Sequence, residues 1–144
     1  MELAWSKKMS VGNEIIDSEH KKIVDLVNQV ESVIKLKDSA IFARVLKQLE
    51  AATRVHFKHE EKIAQAISFP FEEHIQEHEY ILGEFEVLKE KLAGIQGGWS
   101  ESVAEHYYMF LSTWAIDHVM EDDMKMKPFL EAYPYDFKPE EFQE

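Results

Sequence analysis

Four stretches of this chain repeat apolar residues at steps of three and four, with only short breaks between them. Such a period lays the apolar residues of each stretch along one helix face, and those faces can be buried only against one another. The first stretch runs over about 18–37, with Ile23, Leu26, Val27, Val30 and Ile34 in register. The second covers about 41–67, led by Phe42, Val45, Leu46, Leu49 and Ala52. SFPF ends it, because Pro70 lacks an amide hydrogen and disfavours helix in the residue before it. The third covers about 72–93, with Ile81, Leu82, Phe85, Leu88 and Leu92, and is followed by the glycine-rich GIQGGWS. The fourth covers about 101–127, with Val103, Tyr107, Phe110, Leu111 and Trp114, and Pro128 should end or kink it. Short connections make successive helices antiparallel. The expected fold is therefore all-α, an up-down-up-down four-helix bundle forming one domain over 1–144. The residues ahead of 18 read as an irregular arm anchored by Trp5, Val11 and Ile16. The tail, rich in aromatics from Phe129 to Phe142, should pack back on the bundle as a short C-terminal extension.

Composition narrows the function. The chain carries 28 acidic against 16 basic residues, a net charge of −12, which argues against wrapping nucleic acid or sitting on an anionic membrane. It has no cysteine, which excludes disulfides, thiolate zinc sites, iron–sulfur clusters and thioether-linked haem. No apolar run approaches the roughly 18 residues that cross a bilayer. The N-terminal segment lacks the apolar core of a signal peptide, so a cytoplasmic location is expected. Nothing in the sequence names a protein partner.

The chemistry lies in polar residues that occupy core positions. Of seven histidines, five continue the apolar stripe of their helix. His20 stands three before Ile23 and seven before Val27. His56 stands four after Ala52, with Glu60 four further on. His74 and His78 lead by fours into Leu82, and His118 stands four after Trp114. A lone histidine on such a stripe is more often a hydrogen-bonded core residue than a ligand. Five of them with a glutamate, spread over all four helices, need a common partner, because an unsatisfied buried polar group costs roughly 1–7 kcal/mol. A metal cluster supplies one. His59 falls about 100° around the helix from Glu60, and His106 sits at the margin of its stripe, so both read as non-ligands that could support the ligands from behind. Imidazole and carboxylate without sulfur suit iron, manganese or zinc. Ile63 and Leu82 stand where an H-E-x-x-H motif would need its second histidine, and no E-x-x-H pair occurs.

The segments W5…VGNEIID-x-x-H20, H56-F-K-H-E60-E, P70-x-x-x-H74-x-x-x-H78 and W114-x-x-x-H118-x-x-x-x-D123 resemble the hemerythrin family, and its stand-alone bacterial members in particular. The likeness spans Trp5 to Asp123. It implies a di-iron centre: His74, His78 and His118 on one iron, His20 and His56 on the other, and Glu60, Asp123 and an oxo or hydroxo group bridging the two. Helix geometry alone would favour Asp122, about 40° around the wheel from His118, over Asp123 at about 140°. The family's spacing favours Asp123 and implies a local distortion of the helix. Five imidazoles, two bridging carboxylates and one bridging oxygen leave a single vacant position on two octahedral irons, on the iron with two histidines.

The implied function is reversible dioxygen binding at that position, for carriage, storage or delivery, by a protein that is not an enzyme. The alternatives are an oxygen or redox sensor, or a di-iron enzyme reducing nitric oxide or peroxide. The implied oxygen pocket comprises Ile23, Ala64, Trp114 and Ala115. Ala64 and Ala115 replace the methionine and leucine common in the family. The pocket is then wider, unless Ile63 or the aromatic tail refills it.

Overall fold

A computed structural model describes residues 4–36, 39–93 and 101–139. Among them all regular structure is helical: α1 (Glu14–Leu36), α2 (Ser39–Ala66), α3 (Glu72–Ala93), α4 (Glu101–Asp117) and a short α5 (Lys127–Leu130). The first four form the up-down-up-down bundle. α1 packs along α2 and against α4, and α3 approaches the bundle through α2. The expected connection at GIQGGWS, and Phe142 in the tail, lie outside the described residues.

α1 begins four residues before the expected start because Asn13 caps it. The Asn13 Oδ1 accepts from the amides of Ile15 and Ile16 at 3.0 and 3.2 Å, and Glu14 and Asp17 put acidic charge in the first turn. Gly12, at φ +87°, makes the left-handed step that delivers the arm to this cap. α2 ends in a Schellman turn: the Phe69 amide donates to the Ala64 carbonyl at 2.9 Å, and Ser68 takes φ +59° where glycine is usual.

α4 departs most from expectation. Its α-helical course stops at Asp117. A π turn follows over His118–Asp122, then a 3-10 turn over Asp123–Met126, and Pro128 sits at the start of α5.

The core falls into two apolar clusters. The larger fills most of the bundle from Ile23, Val27, Val30, Phe42, Leu49, Phe85, Leu88 and Leu111. The smaller joins Val11 and Ile16 to Ile63, Ala64, Ile67, Phe71, Met126 and Leu130, and partly buried Phe69, Tyr133 and Phe137 pack onto it. The arm and tail are thus anchored as expected, and Trp5 is held partly buried beneath the Lys21 ammonium, 4.4 Å from its ring centroid. Buried Asp17 ties both segments together, accepting from Ser10 Oγ, the Val11 amide and Tyr135 Oη at 2.5, 3.0 and 3.0 Å. No helix among the described residues is long and apolar enough to cross a membrane.

Candidate metal centre

Every residue that the sequence assigned to the metal is buried: His20 from α1, His56 and Glu60 from α2, His74 and His78 from α3, and His118 and Asp123 from the turns that end α4. They form a polar layer. Ligand atoms of His20, His56, Glu60, His118 and Asp123 all lie within 4.8 Å of one another, and His74 and His78 border that group.

The two carboxylates divide the imidazoles. Glu60 Oε1 faces His74 and His78 Nε2 at 3.7 and 3.6 Å, while its Oε2 faces His56 and His118 Nε2 at 2.9 and 3.5 Å. Asp123 Oδ1 faces His74 Nε2 at 3.5 Å, while Oδ2 faces His20, His118 and His56 at 2.7, 2.8 and 3.3 Å. Each carboxylate therefore turns one oxygen to each of two sets of nitrogens. In one place the arrangement differs from the implied ligand set. The resemblance groups His118 with His74 and His78, whereas its Nε2 faces the same oxygens as His56, 3.0 Å from that imidazole. It stands between the sets, its ring centroid 5.1 Å from His56 and 5.8 Å from His78.

Asp123 reaches the layer through the π turn. The wider turn brings the residue five after His118 onto its face, which a regular helix would give to the fourth. Asp122 does other work: its backbone carbonyl accepts from His74 Nε2 at 2.9 Å, and its half-exposed carboxyl meets Glu77. Burial, then the hydrogen bond and charge of Glu77, push the Asp122 carboxyl up to about 7.

Several atoms of the layer are buried without a hydrogen-bond partner: Glu60 Oε1 and Oε2, Asp123 Oδ1, His78 Nε2 and His20 Nδ1. The contact of Glu60 Oε2 with His56 is thus close but not aligned for donation. Two neighbouring donors on an ion at about 2.1 Å stand about 3 Å apart, and the pairs here stand between 2.7 and 3.7 Å. The orphaned Glu60 Oε1 and Oε2, Asp123 Oδ1 and His78 Nε2, close to other donors at ligand spacing, fit bound metal.

Charge in the layer makes the same point. Burial works against the Asp123 anion, yet the charge and hydrogen bond of His118, with further bonds from His20 and His56, hold its carboxyl well below the usual range. Glu60 is raised by burial and by Asp123, but His118 and His56 bring it to about 2. In return, and against their burial, His56 and His118 are held well above the usual imidazole value by Asp123, Glu60 and flanking carboxylates. His20 is lowered, chiefly by burial. Bound cations would serve the same anions.

The sequence matches the family model of the hemerythrin HHE cation-binding domain over residues 11–130. The chain belongs to the hemerythrin family. It is 29% identical over 122 residues to the bacteriohemerythrin of Pseudomonas aeruginosa, covering 84% of this chain and 76% of the relative. It is 24% identical to that of Stenotrophomonas maltophilia over 96% and 88% of the two chains. A wild-type hemerythrin crystal structure superposes with a TM-score of 0.78 at 22% identity, covering 90% of this chain and 98% of the other, a likeness of fold.

In this hemerythrin-family chain the four expected pocket residues do not share one cluster. Ile23, Trp114 and Ala115 belong to the larger, and Ala64 to the smaller. Ala64 is fully buried in a cluster with Ile63, and Phe69, Tyr133 and Phe137 pack onto that cluster. Trp114 stacks on His118, with ring centroids 5.8 Å apart, and also lines an open groove of about 520 Å³ between α3 and α4, with Glu77, Tyr80, His106 and Asp122.

Two residues that the sequence reading passed over are Glu19 and Glu77. Glu19 Oε1 accepts from His56 Nδ1 at 2.9 Å, and Glu77 Oε1 from His118 Nδ1 at 3.1 Å. A signal for both existed. Each glutamate directly precedes a histidine of the layer, about 100° around its helix, at the edge where it can serve the histidine of the next helix. Of the two non-ligand histidines, His59 pairs with Glu19, and exposed His106 touches Tyr107.

Proposed function

We propose that the polar layer would hold two iron ions and that the protein binds dioxygen reversibly at the one coordination position that its side chains and a bridging oxygen would leave open. The ligands are His20, His56, Glu60, His74, His78, His118 and Asp123. Glu60 and Asp123, each facing both sets of imidazoles, would be shared by the two ions together with an oxo or hydroxo group, and His118, which stands between the sets, would join His74 and His78. The observation that carries this reading is the division of labour at Glu60 and Asp123, each with one oxygen for each set of imidazoles.

Ferrous iron supplies the electrons on which reversible dioxygen binding draws, and the chain's own residues do the rest. Glu19 and Glu77 accept the Nδ1 protons of His56 and His118, which leaves each Nε2 lone pair free for metal. Phe57 stacks on His78 with ring centroids 3.6 Å apart, Phe71 on His74 at 5.2 Å and Trp114 on His118, so aromatic faces keep water from the imidazoles. The apolar side of the pocket is Ile23, Trp114 and Ala115. The role we assign is carriage, storage or delivery of dioxygen in the cytoplasm, without catalysis, and the likeness to bacteriohemerythrins supports its hemerythrin-type chemistry.

The test is anaerobic optical titration of ferrous-loaded protein with dioxygen, followed by argon sparging. A charge-transfer band that rises with oxygen and fades under argon is expected. A band that persists under argon, or decays at once to the ferric form, would replace this reading by a sensor. Sustained turnover of nitric oxide or peroxide with a reductant would replace it by an enzyme.

A further inference from the structure

The two carboxylates behind the layer are held differently. Glu19 uses both oxygens on imidazoles: Oε1 takes the His56 Nδ1 proton at 2.9 Å, and Oε2 takes that of His59. His56 and His59 stand one turn apart on α2, at the edge facing α1, so one carboxylate spans both. His56 is fully buried, whereas the His59 side chain is 34% exposed. The chain His59–Glu19–His56 thus runs from solvent to the layer. His20, the other imidazole of this side, has its Nδ1 buried without a partner. Among the described residues, then, carboxylate support from behind reaches this side through Glu19 alone.

We propose that Glu19, gripped between His56 and the surface residue His59, is the positioning residue for the His56 side of the metal pair, with His59 setting its orientation. Glu19 fixes His56 as the tautomer with its proton on Nδ1 and adds electron density to Nε2. His59 withholds the second carboxylate oxygen from solvent, which prevents Glu19 from swinging off the imidazole. A surface side chain that touches no metal thereby governs the affinity of one of the two ions. The inference rests on the ligand set proposed above.

The experiment compares Glu19→Gln, His59→Leu, His59→Asn and Glu77→Gln by competitive titration with Fe(II) and Co(II) under anaerobic conditions. The zinc-loaded and metal-free forms are then examined for the slowly exchanging Nδ1 proton of His56 by NMR. In Glu19→Gln one of the two ions should bind roughly 10- to 100-fold more weakly while the other is unchanged. The Nδ1 proton should lose its downfield shift. His59→Leu should move both readouts the same way by less, and His59→Asn, which keeps a donor near the Nδ1 position, should restore them. Glu77→Gln should weaken the other ion. Two ions bound as tightly in Glu19→Gln as in wild type, or no difference between His59→Asn and His59→Leu, overturns the inference. A wild-type chain that takes up fewer than two ions, yet shows the Nδ1 proton and loses it in Glu19→Gln, overturns the ligand set and leaves the clamp standing.

Discussion

The α1–α2 half and the α3–α4 half meet the same demand with different surroundings. In each, a glutamate one residue before a histidine crosses to the next helix and holds the Nδ1 of its histidine. In the first half that glutamate is closed off by His59, and the two helices pack along their length. In the second, Glu77 faces the Asp122 carboxyl and lines an open groove, and α4 gives way to a π turn. Carboxylate support at a metal can thus be sealed by a base or shared with an acid. The half with the irregular backbone has more to gain from bound metal.

The largest effect should come from removing metal. At free metal a thousand times Kd, loading stabilises the chain by about 4 kcal/mol, and hydrogen exchange should show most of the loss on chelation at the turns ending α4. Equal melting temperatures with and without chelator would remove the metal from the account, and uniform loss of protection would remove the contrast between halves.

Next is the choice between neighbouring aspartates. Asp123→Asn should leave fewer than two tightly held ions per chain, whereas Asp122→Asn should keep both. A reversal of these stoichiometries would mean that the π turn does not place the bridge.

The metal-free protein should respond to pH in a defined window. His56 and His118 are raised, so their contribution to stability is full below about 6.5 and fades as pH climbs through their folded values. Asp123 and Glu60 are lowered, so theirs is present above about 4 and is lost as pH falls. Stability of the metal-free form should be greatest between these limits, and loading metal near pH 7 should release protons measurable with an indicator dye. A loading reaction that releases none would contradict protonated imidazoles in the layer.

The smallest effect separates the two alanines. Ala64→Met enlarges a fully buried position and should destabilise by about 1–3 kcal/mol in urea unfolding. Ala115→Leu, beside Trp114, should slow autoxidation of the oxygenated protein, and an unchanged rate would dismiss the wider pocket on that side.

Much of this was legible in the chain. The helix periods found four helices whose bounds agree within a few residues, except where Asn13 and Gly12 start α1 early and where α4 breaks. The histidines were conspicuous because each sits on a stripe that apolar residues otherwise fill. Glu19 and Glu77 were harder to see, since a glutamate at the edge of a stripe looks like any solvated acid until its neighbour is known.

Sequence by itself determined the four amphipathic helices and the polar layer across them, because periodicity and burial depend on spacing along one chain. The family's spacing pointed to Asp123, and the tertiary structure supplies the means, a π turn that a regular wheel does not contain and that leaves Asp122 outside the layer. It also decided that the tail packs onto the cluster that holds Ala64 and that Glu19 is clamped between His56 and His59. Those contacts join residues far apart in sequence, and no local pattern encodes which of them meet.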